Sequence, residues 1–320
     1  DTYGVPYEYF ADKLVAEGGL RDRFDVIIYP HVGGSAQAHL DGVAMTGTLP
    51  LPYKKSEETP NFGYMDESDD IRGGMGLAGL VELQKFVQEG GTLLVEGSTS
   101  SIFPEFGLTP GVTVESHDNL IAPGSIHRGI IADKTSPIAY GYTGDQLPVY
   151  FKNDLVLNAG GGGGLGAFAR FFRGGGPWQN TAPMANRPEL SEYEPSESAD
   201  EGSEGEAPDD MAEIRRMARA FGLGGGDEGG ARVVMAFPRQ ADEILLSGTL
   251  GGGQALAGKA QVVDSPIGEG HVVSFAIRPF WRWQTQGTFF LGFNTILNWN
   301  DLDAGQEVEE EEIATEEQDA

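Results

Sequence analysis

The sequence predicts an α/β fold: a parallel sheet flanked by helices, extended by antiparallel strands and interrupted by a disordered insert. Three stretches carry that reading. Residues 77–101, LAGLVELQKFVQEGGTLLVEGSTSS, run from an amphipathic helix through a glycine stop into a short apolar strand and a turn of small residues, which is half of a βαβ unit. Residues 25–30, DVIIYP, form a second apolar run, closed by Pro30 because proline cannot donate to a sheet ladder. Residues 260–277 set two apolar runs on either side of PIGEG, the pattern of a β-hairpin.

In chain order, residues 2–10 suggest the end of a helix at Gly4 and a short strand after Pro6, and residues 14–20 a loop. The strand at 25–30 exits through His31-Val32-Gly33-Gly34-Ser35, a glycine-rich turn. Residues 36–70 show no period and read as a long irregular insertion. The helix at 77–87 then puts Leu77, Leu80, Val81, Leu83, Phe86 and Val87 on one side, and Gly90-Gly91 supply the positive φ that its end needs. Thr92 to Val95 marks a strand buried on both faces. Strands follow at 112–114 and 129–131, and the runs at 149–151 and 154–157 suggest a hairpin around Lys152-Asn153.

Between 159 and 231, all-glycine runs at 160–164, 174–176 and 224–226 accompany an acidic tract, a composition that predicts disorder. One helix is expected inside it, over 209–221, with Met211, Ile214, Met217 and Phe221 on one face. Strands return at 232–237 and 243–248, followed by the hairpin. A closing helix over 287–299 is expected to turn Phe289, Phe290, Phe293, Ile296 and Leu297 inward. The expected organisation is one α/β domain in two parts, 1–158 and 232–300, split by the insert at 159–231 and followed by a disordered acidic tail at 301–320.

The formal charge of −28 is concentrated. Ten acids and no base lie in 189–210, and again in 301–320, which leaves 29 acids against 21 bases elsewhere. Nucleic acid is thereby an unsuitable partner, since phosphate contacts need a basic face. No apolar run approaches the ~20 residues of a membrane span, so none is expected. The absence of Cys removes disulfides, thiolate metal sites and cysteine nucleophiles. A start at Asp1-Thr2-Tyr3 leads us to expect a piece of a longer polypeptide.

Five segments, TYGVPYEYF, LRDRFDVIIYP, IRGGMGLAGLVELQKFVQEGGTLLVEGSTS, APGSIHRGIIADKTSPIAYGY and VVDSPIGEGHVVSFAIRPFWRWQTQGTFFLGFNTIL, occur in that order. Together they resemble the C-terminal region of large bacterial zinc carboxypeptidase-like proteins of the carboxypeptidase A family. The resemblance covers most of 1–157 and 232–299; its QTQGTF differs from the family's QTHGTF. It implies a class I glutamine amidotransferase-like (flavodoxin-like) fold and a non-catalytic accessory role. It also implies an N-terminal peptidase domain of the same polypeptide as partner, removing C-terminal residues from peptides, and secretion or a periplasmic location. Zinc would belong to that domain, so this chain is expected to hold no cofactor. The family's zinc motif, His-x-x-Glu, is absent: none of His31, His39, His117, His127 or His271 is followed three residues later by Glu.

Candidate residues remain. Ser98 lies at the strand-to-helix turn where an amidotransferase-like fold carries its nucleophile, but Glu96-Gly97-Ser98-Thr99-Ser100 lacks the flanking glycines of a nucleophile elbow. The competing reading makes Ser98 a helix N-cap. His31 sits at a strand exit where Gly33 and Gly34 would let a ligand approach the backbone; otherwise it is an exposed turn histidine. His127-Arg128 reads as an anion contact or as a surface pair. Trp281 and Trp283, in Phe280-Trp281-Arg282-Trp283, either stack on a sugar or peptide or pack the closing helix. The glycine runs lack the Lys-Ser/Thr of a phosphate loop. Besides the accessory role, two functions fit: a carbohydrate- or peptide-binding module, and a hydrolase using Ser98.

Overall fold

The computed structural model describes residues 4, 6–64, 67–152, 155–159 and 230–306. The acidic tract at 189–210, the all-glycine runs and the helix expected over 209–221 lie outside the described residues.

Residues 6–10, expected to include a strand, take no regular structure. Helix α1, Asp12–Glu17, occupies part of the stretch expected to be loop and buries Val15. After β1, Val26–Tyr29, helix α2, Ala36–Asp41, is capped by Ser35, whose hydroxyl accepts from the Ala38 amide at 3.2 Å. The stretch expected to be irregular from residue 36 thus begins with a helix, and six residues are too few to display a period. Helix α3, Gly76–Gln88, buries Leu80, Leu83, Phe86 and Val87. It ends in a Schellman turn: the Gly90 amide donates to the Val87 carbonyl and the Gly91 amide to that of Phe86, with Gly90 at φ +93°. Strand β2, Thr92–Glu96, follows at once and is buried along its whole length.

The remaining elements are α4, Ile102–Glu105; β3, Val112–Glu115; β4, Ser125–Ile131; β5, Gln146–Phe151; β6, Val156–Ala159; β7, Arg232–Ala236; β8, Leu245–Ser247; β9, Ala260–Ile267; β10, Gly270–Phe275; and α5, Phe289–Leu297. The strands form one mixed sheet in the order β1-β2-β10-β9-β7-β4-β5. β1, β2 and β10 are parallel, with Val26 opposite Thr92 and Thr92 opposite His271. β9 closes the expected hairpin on β10, and the pairing is antiparallel from there on. β8 lies on β4, β3 on β6, and β6 touches β9 at Leu157 and Ala260. β5 and β6 were expected to form a hairpin but do not pair. β4 offers β5 a full ladder from Ser125–Phe151 to Ile130–Gln146, and β6 reaches the core beside β3, where Leu157 is fully buried.

β2 shows why both of its faces are apolar. Leu93 and Val95 pack with Leu80, Leu83, Phe86 and Phe103 on the side of α3 and α4. Leu94 points to the other side, where it joins Phe151, Val273, Phe275 and Leu291 of α5. The inward face of α5 differs from the one expected: Leu291, Gly292 and Thr295 are buried, whereas Phe290 is 62% and Leu297 72% exposed. The physical reason is Phe280. Its ring covers Gly292, and Phe289 and Phe293 pack on it at 5.8 and 5.6 Å, so the helix meets the sheet on its small-residue side. The acidic tail was expected to begin at Asp301, yet Leu302 is fully buried and the carbonyls of Leu302 and Ala304 accept from Arg232 at 3.2 and 3.0 Å.

Candidate functional site

Three parallel strands end side by side, and ligands of open α/β sheets gather at such ends. The turn after β2 is built first from its own residues. The Glu96 amide donates to Thr99 Oγ1 at 3.1 Å while the Glu96 carboxylate accepts from the Thr99 amide, which is a capping box. The Thr99 hydroxyl donates to the Tyr29 carbonyl at 2.7 Å, and the Ser100 hydroxyl to that of Phe275 at 2.9 Å. Both neighbouring strands are thereby fastened to the exit of β2. Gly97 sits at φ +57°, and a Cβ there would stand 2.6 Å from His31 Nδ1, so the imidazole closes on the turn only because this residue is glycine.

His31, Gly33 and Ser98, singled out separately in the sequence, come together in the structure with roles of their own. The Ser98 amide donates to His31 Nδ1 at 3.0 Å, the Gly33 amide donates to Ser98 Oγ at 3.0 Å, and the His31 amide donates to Glu96 Oε1 at 3.4 Å. An Nδ1 that accepts belongs to a neutral ring with its proton on Nε2. The pKa of His31 is lowered, first by burial and then by Arg278 and Lys152, which agrees with that neutral form. Ser98 is not the helix cap, because Glu96 and Thr99 perform that task. Gly33 and Gly34 are exposed at φ +80° and +97°. Behind them His39 is 7% exposed, 5.8 Å from the Tyr29 ring, and burial lowers its pKa.

The third strand adds what the sequence reading missed. Arg278, just beyond β10, is buried, and its guanidinium lies 4.8 Å from the Trp281 ring. Arg282 approaches the same ring at 5.0 Å, and Tyr150 stacks on it at 6.3 Å with an interplanar angle of 12°. Lys152, exposed, follows Tyr150 after β5. Arg282, Trp283 and Thr285 hold positive φ of 48°, 60° and 50°, and no other described non-glycine residue does so. Such strain, of order 1 kcal/mol or more per residue, concentrates at functional segments. The aromatic cluster divides between its two expected roles: Phe280 packs α5, Trp281 joins the arginines, and Trp283 is 58% exposed with its ring 5.8 Å from Phe289. The rule that pointed to His31 and Ser98 would have found Arg278 as well, once β10 was placed parallel to β2.

Two further histidines have their partners elsewhere. His127, expected with Arg128 as an anion contact or a surface pair, is fully buried, with Nε2 2.8 Å from Ser125 Oγ and its ring stacked on Phe151 at 5.3 Å; the inward side of β4 carries it. Burial pushes its pKa down to about 4. His271 Nδ1 lies 2.8 Å from Asp264 Oδ1, and its Nε2 3.5 Å from Asp303 Oδ2. A cleft of about 460 Å³ between residues 8–17 and 67–71 lies near α1. Among the described residues no three His, Asp or Glu side chains are grouped to hold a metal ion, and no helix is long and apolar enough to cross a membrane.

No protein-family model matches the chain, and no curated protein is similar to it. Among solved structures it is similar to the "Cytoplasmic Protein STM3548 from Salmonella typhimurium", at 12% identity and a TM-score of 0.40 over 92% of this chain and 82% of that one. It is also similar to the "Cytoplasmic Protein STM1381 from Salmonella typhimurium LT2", at 12% identity and a TM-score of 0.37 over 93% and 80%. Both are described as cytoplasmic, which runs against the secreted or periplasmic location expected from the sequence. At these scores the likeness assigns no location or function to this chain.

Proposed function

We propose that this chain is a non-catalytic binding domain, accessory to a zinc carboxypeptidase-like enzyme and built on an amidotransferase-like version of the α/β fold. The ordered set of segments from TYGVPYEYF to the closing helix supports the accessory relation. One observation supports binding over catalysis: the Ser98 amide occupies His31 Nδ1. A serine nucleophile needs its hydroxyl hydrogen-bonded to a base that can take the proton. Here the only lone pair of a neutral imidazole is engaged by a backbone N–H, and the Ser98 hydroxyl accepts from Gly33. Glu96 and Ser100 also stand where an elbow has glycine. Zinc and the peptide-bond chemistry belong, in this reading, to a peptidase domain outside this chain, and the strand-end site presents or retains its peptide. The exposed ring of Trp283 is the observation that favours carbohydrate as the alternative ligand.

The test treats the chain, and its Ser98→Ala variant, with a fluorophosphonate probe and with ester and peptide substrates, with and without added zinc. No labelling and no turnover are expected from either. Labelling that maps to Ser98, or turnover abolished by Ser98→Ala, overturns the proposal.

A further inference from the structure

We infer that the cleft between α1 and residues 67–71 opens a docking groove for an extended segment of a partner protein, one that alternates basic and apolar side chains. The cleft shares no lining residue with the strand-end site, so this inference stands apart from the reading of that site. Its floor is apolar and fixed: Phe10 stacks on Phe24 at 4.9 Å, and Phe10 and Leu14 both pack against the buried core. Tyr9, 58% exposed, and Ile71, 39% exposed, also line it. The charged lining is mostly acidic, with Glu8, Asp12, Glu17 and Glu67 beside Lys13. Glu8 pairs with Arg23 at 2.6 Å. Lys13 Nζ donates to the Asp70 carbonyl and, at 3.4 Å, to Ser68 Oγ, which ties α1 to the opposite wall. Carboxylate is thus in excess along an apolar floor.

The exposed apolar surface is longer than the cleft. The Ile71 amide donates to the Leu51 carbonyl at 2.9 Å, Tyr53 and Ser68 exchange two backbone bonds at 2.8 and 2.9 Å, and Tyr53 stacks on Phe62 at 4.9 Å. Leu51, Tyr53 and Phe62 are all exposed, so an apolar band runs on from Ile71 and Ser68. The band is pre-formed. The Arg72 guanidinium donates to both Asp70 carboxylate oxygens, at 2.9 and 2.7 Å, and to the Thr46 and Gly47 carbonyls, while Asp70 accepts from the Leu51 amide at 3.1 Å. An exposed apolar band bordered by polar residues marks an interaction surface. Charge chooses its occupant. The acidic lining repels nucleic acid, anionic lipid and the chain's own acidic tracts, and a net charge of −28 sets a second copy against the first. A segment with basic side chains is steered in instead, and its apolar side chains cover the floor and the band.

The experiment titrates the full chain, in about 0.15 M salt, with a fluorescent peptide alternating lysine and leucine. Its counterparts with glutamate for lysine and with serine for leucine, and lysine amide alone, serve as comparisons. The lysine–leucine peptide is expected to bind at least about tenfold more tightly than any of them. Tyr9 and Glu17 are exposed, so Tyr9→Ser and Glu17→Lys alter the groove without disturbing the core. Each should weaken binding about five- to tenfold. Glu243→Lys makes the same charge change just before β8, on the β4 side of the sheet and away from β1, and should leave binding within about twofold. Equal binding of the serine counterpart would assign binding to the acidic tracts, and equal binding of lysine amide to a small-cation site. A concentration-dependent dimer lost in Tyr9→Ser would assign the groove to a second copy. Any of these results, no binding of the lysine–leucine peptide, or indifference to Tyr9→Ser and Glu17→Lys overturns the inference.

Discussion

His271 and His127 are both buried, yet their surroundings give them opposite responses to pH. Burial works most strongly against the charge on His271, but Asp264 and Asp303, on its two ring nitrogens, outweigh it and raise the pKa. Asp264 comes from β9 and Asp303 from the C-terminal segment; Arg232 on β7 binds the same segment through the carbonyls of Leu302 and Ala304. The stability that His271 contributes is complete below about pH 6.5, where it is protonated even when unfolded, and is lost as pH rises through the raised value. For His127 burial alone acts, and the folded ring stays neutral down to about pH 4. Its contribution is present above about pH 6.5 and falls away toward pH 4, by about 3 kcal/mol at the limit. Urea midpoints measured from pH 4 to 9 should show His271→Gln flattening the alkaline limb and His127→Asn the acid limb. An unchanged alkaline limb in His271→Gln would refute the first assignment. A signal for the Asp264–His271 pair was present in the sequence: with the hairpin closed, His271 faces Pro266, and Asp264 is the diagonal neighbour on the same face. Ser98 gave no such signal, because the amide that its hydroxyl serves lies 65 positions away, at Gly33.

Among the elements, α3 and β2 were legible because period and punctuation agree there. The apolar stripe, the glycine pair and the all-apolar strand each point to one conformation, and the Schellman turn realises it. α5 was legible as a helix but not in its orientation. Phe289, Phe293 and Ile296 mark one stripe and Leu291 and Thr295 another, and only the position of Phe280 chooses between them. Two substitutions follow. Leu291→Ala removes a fully buried side chain and should cost about 2–5 kcal/mol, more than Phe293→Ala, which empties a half-buried position. Gly292→Ala raises helix propensity by about 1 kcal/mol, yet its Cβ would run into the Phe280 ring. Net destabilisation is therefore expected in chemical denaturation, and a gain would show that Phe280 moves aside at little cost. The β5–β6 hairpin was misread because the sequence shows that two runs are apolar, while the choice of partner belongs to the sheet.

For the molecule as a whole, the sequence revealed the α/β class and the hairpin but not that β10 enters between β2 and β9. That placement brings Arg278 to His31 and Ser98, so the half of the site that was missed follows from the half of the topology that was missed. It also governs how the chain is made. During synthesis β2 can pair with β1 as soon as residue 96 emerges, but its other edge stays open until His271 arrives opposite Thr92. At about 5–20 residues per second that wait lasts on the order of ten seconds to half a minute. Throughout it an apolar strand exposes unpaired amides and carbonyls, a known invitation to aggregation. A nascent chain stalled at residue 159 should therefore recruit chaperones and precipitate when released. Adding a separately made 230–306 fragment during release should rescue it by supplying the missing strand.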